Sequence, residues 1–368
     1  MTGGVGYTLL IGKVPAPQPL VDAVELIEVD ASLELASALR VRFGITQTEI
    51  GDWSVLETDL FRPLLPLDLR IQTGILPPLA VINGFVSGAR VVYADEPGQS
   101  ALEVTAMDAT AVMNLEEKVM PWPCMPDSAI AAAIFAQYAL VPQVQPTPPT
   151  LVEPEGTITQ RGSDIRFLRR LAARNGFDCY VQPEPLTGLD FGYFRPSRAL
   201  GVPDAVLNVS MGVQTNVSSF GVRYDMLKPT TVLAAGVDVA TKAPQPALAP
   251  VSTELPLGLE PTLTRVLPPP IARPADTGLF RTGELQVAAQ AIADRSSWAL
   301  VAEGEVGSDV SVLHPGGFVN VRGAGRVYNG SYLVTRVRHS IARDRYTQRF
   351  EARRNAVEMT GAELYVEL

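Results

Sequence analysis

The chain has 368 residues, of which 46% are hydrophobic and 19% charged, and its formal net charge is −9. Such a length holds roughly two or three domains, and such an apolar fraction supplies a core and excludes global disorder. The acidic balance excludes a protein that binds nucleic acid by laying a basic stripe on phosphate, and a charge content below the ordinary ~25% fits a surface covered by partners as well as by water.

No basic stretch precedes the short apolar run Tyr7–Ile11, so no export signal is expected and folding in the cytoplasm is the default. Between Leu33 and Ile45 the odd positions are apolar except Ser37, while Glu34, Arg40 and Arg42 take even ones. This period of two describes one or two strands. Further strands are expected at Leu67–Gln72, Ala80–Tyr93 and Ala101–Met107, with a turn at Asp95-Glu96-Pro97-Gly98. A helix follows Pro126-Asp127-Ser128 and stops before Pro142; its apolar stretch Ala129–Val141 is too short to span a bilayer. Pro142–Pro154 reads as an extended connector.

A second helix is expected over Asp164–Asn175. Ser163 or Asp164 caps it, Ile165, Phe167, Leu168 and Leu171 form its apolar face, and Gly176 ends it. Phe177, Cys179 and Val181 then alternate with Asp178, Tyr180 and Gln182 as a strand. β-like runs return over Ala205–Val239. Ala243–Pro274 is proline-dominated and reads as an ordered arm or a flexible loop. Gly283–Ala302 has helical spacing. Beyond it Val319 and Val321 lie on one strand, Asn329-Gly330 marks a hairpin turn, and Leu333, Thr335, Val337, His339 and Ile341 share a strand face. In the last strand Tyr346, Phe350 and Ala352 point inward, opposite Arg349, Glu351 and Arg353. The division expected is 1–110 as a β-barrel, 111–242 as an α+β middle, 243–280 as a Pro-rich arm, and 281–368 as a helix plus a second barrel.

No constellation for chemistry stands out. The chain lacks G-x-S-x-G, a phosphate loop and H-E-x-x-H. Gly3-Gly4-Val5-Gly6 lacks the Lys-Ser/Thr that would make it a phosphate cradle. Cys124 and Cys179 form no zinc spacing or disulfide framework. His314 sits before Pro315-Gly316-Gly317 as a turn residue, and His339 on an inward strand face as a core histidine. Glu116 with Glu117, and Glu153 with Glu155, are the acid pairs that a glycosidase would need, and loop acids without a catalytic role are the plainer reading. Asn208, Asn216 and Asn329 match Asn-x-Ser, which carries little without export. Arg166, Arg169, Arg170 and Arg174, and the arginines from Arg336 to Arg354, read as surface or inter-subunit groups, with a local phosphate role as the alternative. No catalytic, cofactor-binding or metal-ligating residue is assigned, and no cofactor is expected.

Three segments in order resemble the phage tail hub family, which includes late-control protein D and the base of the type VI secretion spike. They are TITQRGSDIRFLRRLAARNGFDCYV at Thr157–Val181, GGFVNVRGAGRVYNGSYLVTRVRHSI at Gly316–Ile341, and NGFVSGARVVY with ALEVTAMDATAVM within Asn83–Met113. Val319, Val321 and Gly323, then Gly330, Tyr332, Val334, Val337 and His339, fit the strands of the closing barrel; Phe350 and Arg353 fit its final element. Ala243–Pro274 has no counterpart in that pattern.

The resemblance implies a β-rich α+β chain with two similar tube-like β-barrels flanking an α+β middle, assembled as a C3 trimer. It implies a structural baseplate hub, a symmetry adaptor between the six-fold tail tube and the three-fold spike of a phage tail or contractile injection system. The implied partners are the tube or its initiator, baseplate wedge proteins and, since no needle follows Leu368, a separate spike protein. Specific nucleic-acid binding and a membrane segment are not expected. An acidic channel lining is expected from the net charge, with Arg40 and Arg42 as candidate tube-facing or interprotomer groups. The alternatives are a tail-associated carbohydrate-active or cell-wall-degrading enzyme and a monomeric binding module.

Overall fold

The computed structural model describes residues 5–49, 51–56, 62–74, 77–96, 98–147, 157–197, 201–238, 241–274, 279–280, 283–343, 345–363 and 365. The N-terminal part supplies β1 (Gly6–Ile11), β2 (Val24–Ser32), β3 (Ala38–Gly44), β4 (Pro66–Gln72), β5 (Leu79–Val92) and β6 (Ala101–Met107). The middle supplies β7 (Glu117–Trp122), α1 (Asp127–Gln137), β8 (Val141–Val144), β9 (Ile158–Ser163), α2 (Asp164–Asn175), β10 (Phe177–Pro183) and β11 (Asp190–Pro196). Then come β12 (Ala205–Asn208), β13 (Val217–Tyr224), β14 (Thr231–Asp238), β15 (Pro244–Ala249), α3 (Glu284–Ser297), β16 (Leu300–Val306), β17 (Phe318–Arg322), β18 (Gly330–Ala342) and β19 (Arg345–Arg354).

The expected β-rich α+β class holds, but among the described residues neither β-rich end closes into a barrel. Both ends instead feed one thirteen-stranded sheet. Its central ladder runs β5-β6-β3-β2-β18-β19-β16-β13, antiparallel at every step. The join is β2 against β18, with Ser32 opposite Arg336 and Leu26 opposite Ala342.

This order contains a repeat. If each end's four strands are counted in chain order, both halves of the ladder read third, fourth, second, first, in the same direction. The irregularities repeat too. The third strand is bulged between Val86 and Gly88 in one half and between Val334 and Arg336 in the other. The first strand is bulged between Val24 and Leu26, and again between Val217 and Ser219. An additional strand flanks the start of the third in each half, β4 on β5 and β17 on β18. A bulge adds one residue and re-aims those beyond it, so matching bulges align the halves residue by residue: Val86 with Val334, Arg90 with Arg338, and Ile27 with Phe220.

Alternation explains why these segments are strands. Leu39, Val41 and Phe43 of β3 are fully buried, as are Leu67, Leu69 and Ile71 of β4, and they pack in one apolar cluster with Ile27, Val29 and Val104. The counterpart cluster holds Ala302, Val306, Val319, Val321, Val337 and Phe350. The alternation expected over Leu33–Ile45 breaks at Leu33–Ser37, where the chain turns from β2 into β3; Leu35 is 60% exposed there. In β18 the single face expected for Leu333 through Ile341 switches at the bulge. Leu333 packs with Leu257, Trp298 and Phe318, whereas Val334 and Val337 enter the main cluster. The chain bends over Gly323–Asn329 before β18, a longer loop than a two-residue Asn329-Gly330 turn, and the Asn329 side chain accepts a hydrogen bond from the Ala324 amide.

The middle packs α1 and α2 on β10, β11 and β8, around Ile130, Phe135, Leu168, Leu171 and Phe194. Helix α2 has its expected bounds, and Gly176 stops it at φ +73°. The Asp164 carboxylate accepts hydrogen bonds from Lys118, Tyr138 and Gln160, tying the helix start to β7, α1 and β9. The connector expected at Pro142–Pro154 begins inside β8, which pairs parallel with β11; residues 148–154 lie outside the described residues.

Helix α3 ends at Ser297, earlier than Ala302. The Ser296 and Ser297 hydroxyls bond back to Ala293 and Asp294 carbonyls, and Leu300 and Ala302 are buried in β16 instead. The Pro-rich segment lies between the first and second strands of the second repeat, where the first repeat has only the turn Leu33–Ser37. It pairs β15 with β14, packs on α3, and returns so that Glu260–Pro261 pairs Ala356–Val357.

Candidate assembly surface

Period-two strands have a second face, and along the central ladder that face is charged. From β6 to β16 the residues on it pair across strands. Arg42 bonds Glu25 at 2.8 Å and Glu103 at 3.1 Å, and Arg40 lies 3.8 Å from Glu28. At the join, Asp30 receives Arg336 at 2.5 Å and Arg338 at 2.8 Å. Farther along, Glu351 lies 3.5 Å from Arg336, and Glu305 receives Arg349 at 2.7 Å and Arg345 at 3.5 Å. Burial works against charge on Asp30, but the two guanidinium hydrogen bonds outweigh it and hold its carboxyl below the usual range. Because these charges are half exposed, each pair contributes little stability, about 0–1 kcal/mol. Acids and arginines alternate here, so this face is mixed in charge. Arg42 is engaged within its own chain, and Arg40 is 59% exposed.

The ladder ends in two edges. Among the described residues, β13 at one end pairs only β16, and at the other the second half of β5 pairs only β6. An edge strand presents unpaired backbone amides and carbonyls, a template for another chain. A groove of about 570 Å³ lies beside the β13 edge, lined by Ser219, Gly221, Glu303, Glu305, Arg338 and Arg349 among others.

The other sequence-singled residues are scattered. His314 and His339 are both buried, and burial depresses them to about 4 and about 3. His339 Nδ1 shares a 2.9 Å hydrogen bond with the Tyr346 hydroxyl, and the two Nε2 atoms have no hydrogen-bond partner among the described residues. Cys179 is buried, its thiol pushed up to about 12; Cys124 is exposed. Glu117 pairs with Arg166 on the surface, Arg174 with buried Asp127, and Arg353 with Asp178. Asn208 and Asn216 are engaged in the β12 turn. Glu153 and Glu155 lie outside the described residues. Among the described residues no group of three or more His, Cys, Asp or Glu is placed to hold a metal ion, and no helix is long and apolar enough to cross a membrane.

Sequence patterning missed Arg354. It is fully buried, and it donates to the carbonyls of Leu257 at 2.9 Å, Asn329 at 2.6 Å and Glu358 at 2.6 Å. It bolts the Pro-rich segment to the last strand. The only signal was its inward parity with Phe350 and Ala352.

No family model matches the sequence, and no curated protein matches it. Solved structures do match the fold. A tail protein from Neisseria meningitidis aligns over 96% of this chain and 97% of its own, at 15% identity and a TM-score of 0.65. A 43 kDa tail protein of prophage MuSo2 from Shewanella oneidensis aligns over 96% and 100%, at 12% identity and a TM-score of 0.63. An Escherichia coli component of the type VI secretion system, described as structurally similar to bacteriophage T4 tail proteins, aligns over 98% and 79%, at 14% identity and a TM-score of 0.59. The resemblance read from three sequence segments thus extends to the whole chain as a shared fold: this protein is built on the fold of phage tail proteins and of a type VI secretion component.

Proposed function

We propose that the chain is a structural baseplate hub, a homotrimeric ring that adapts a six-fold tail tube to a three-fold spike in a phage tail or contractile injection system. The observation that carries this reading is the repeat within the ladder. Two equivalent four-stranded units per chain, related head to tail, give six units in a ring of three. One side of such a ring matches six-fold partners, while the chain itself obeys three-fold symmetry. The alternating strand directions allow it, because an antiparallel ladder with an even number of strands has edges of opposite direction that continue the alternation from copy to copy.

In this reading the N-terminal unit lies within 1–110. The second is centred on 281–368 and draws in β12 and β13, the α+β middle spans most of 111–242, and the Pro-rich stretch 243–280 belongs to an insertion. The work is structural and asks for no catalytic group or cofactor. The partners are tube, spike and wedge proteins, and the site of action is the particle's baseplate.

Affinity purification of the tagged chain from its native host tests this. Recovery with tube, spike and baseplate proteins is expected. Recovery alone or only with metabolic enzymes contradicts the reading, and release of sugar from cell-wall polymer by the pure chain favours the enzyme alternative.

A further inference from the structure

Between its pairing with β14 and its pairing with Ala356–Val357, the Pro-rich segment runs as a strap over residues 251–259, fastened at both ends. On α3, the Asp294 carboxylate accepts hydrogen bonds from the Ser252 hydroxyl at 2.9 Å and from the Thr253 amide and hydroxyl at 2.6 and 3.0 Å. Gln290 donates to the Val251 carbonyl at 2.9 Å. Just past β19, the Asn355 side chain receives the Leu257 amide at 2.8 Å and donates to the Leu255 carbonyl at 3.0 Å. Leu257 then packs with Trp298, Phe318 and Leu333.

Glu254 sits between the two fastenings. It is half-buried, whereas Val251 and Leu255 are 54% and 49% exposed. Among the described residues its carboxylate makes no hydrogen bond and no ion pair. Charged groups face it from three elements: Asp294 from α3, Asp178 from β10 and Arg353 from β19. Arg353 is already committed, since it donates to Asp178 and to the Ser197 hydroxyl and lies 4.8 Å from the centre of the Trp298 ring. Two further cations of this region, Arg295 and Lys228, donate to the carbonyls of Ala173 and Trp298. Glu254 thus meets two carboxylates and one cation that is shared with a competitor. Burial, Asp294 and Asp178 raise its carboxyl to about 7 against the pull of Arg353.

We propose that residues 251–259 form a proton-operated clasp, in which a proton on Glu254 seats the strap against α3, β10 and β19 and its loss loosens the strap. Seated, Glu254 titrates at about 7; released into water, it titrates at about 4.3. The proton's contribution to seating is therefore complete below about pH 4 and is lost as the pH rises to about 7, by close to tenfold per unit across that window. The tie between the Pro-rich segment and the rest of the chain is tight in acid and slack above neutrality.

The test is hydrogen–deuterium exchange of the full-length chain from about pH 5.5 to about pH 8, corrected for intrinsic exchange and read on the strap amides, Thr253 and Leu257 above all. In the wild type their protection is expected to fall by about tenfold or more over this range while α2 keeps its own. In Glu254→Gln, which keeps the shape of the protonated acid, strap protection is expected to stay at the wild type's acid level throughout. Glu254→Ala, equally unable to ionise, is expected to be as independent of pH, so a folding defect in one variant leaves the other to decide. Wild-type protection that does not change with pH overturns the clasp, and so does a fall of the same size in the folded variants.

Discussion

At the scale of residues, the side chains that matter most are buried and polar. Arg354 is a buried cation held by three carbonyls. Removing it strands those acceptors, so Arg354→Ala is expected to cost about 3–5 kcal/mol in urea unfolding, and a loss under ~1 kcal/mol contradicts its role as the bolt. Asp190 offers a pH test. Burial raises its carboxyl to about 6, although it accepts a 3.0 Å hydrogen bond from Asn83. Below pH 6 the folded chain takes up this proton while the unfolded chain, near 3.9, does not, so Asp190 adds stability on acidification. The two histidines act oppositely. Folded, they are depressed to about 4 and about 3; unfolded, they titrate near 6.5, so they cost stability as pH falls through that window. Asp190→Asn deletes only the acid's contribution. Between pH 7 and pH 4 the wild type should gain about 2–3 kcal/mol over the variant, and a difference that shrinks on acidification contradicts the buried-carboxyl account.

At the scale of elements, local signals were legible and pairings were not. The bounds of α2 followed from its apolar face and Gly176, and those of β6 from alternation alone. Gly176 is needed twice, for φ +73° and because an added Cβ would sit 3.1 Å from Ala291 Cα on α3. Gly176→Ala should therefore cost about 1–2 kcal/mol, and a neutral result in thermal melts contradicts that packing. The β2–β18 join was invisible because it unites residues such as Asp30 and Arg336, 306 positions apart, with nothing local to mark them. Both bulges in β5 and β18 escaped notice for a related reason: an extra residue shifts parity without changing composition. At the free edge, Val91→Asp should leave the thermal midpoint of the monomer nearly unchanged, and under the proposed ring it should dissociate the oligomer in sedimentation; an oligomer that stays intact contradicts edge-to-edge joining.

At the scale of the whole molecule, the sequence resemblance carried the architecture's class but not its unity. Two barrels were expected, and one open ladder was found. The repeat was illegible because it preserves strand order, bulges and burial while its residues diverge: Asp30 aligns with Arg223, and Arg42 with Glu305. The insertion of β14, β15, the Pro-rich segment and α3 between two adjacent strands of the second repeat separates them further, which is why that segment had no counterpart.

Electron microscopy of the purified full-length chain addresses the central claim most directly. The account predicts a three-fold ring whose inner layer is a continuous β-wall of six near-equivalent units, with each β5 beside a neighbouring β13. A monomer, or a ring whose copies meet through the α+β middle while both ladder edges stay free, would contradict it.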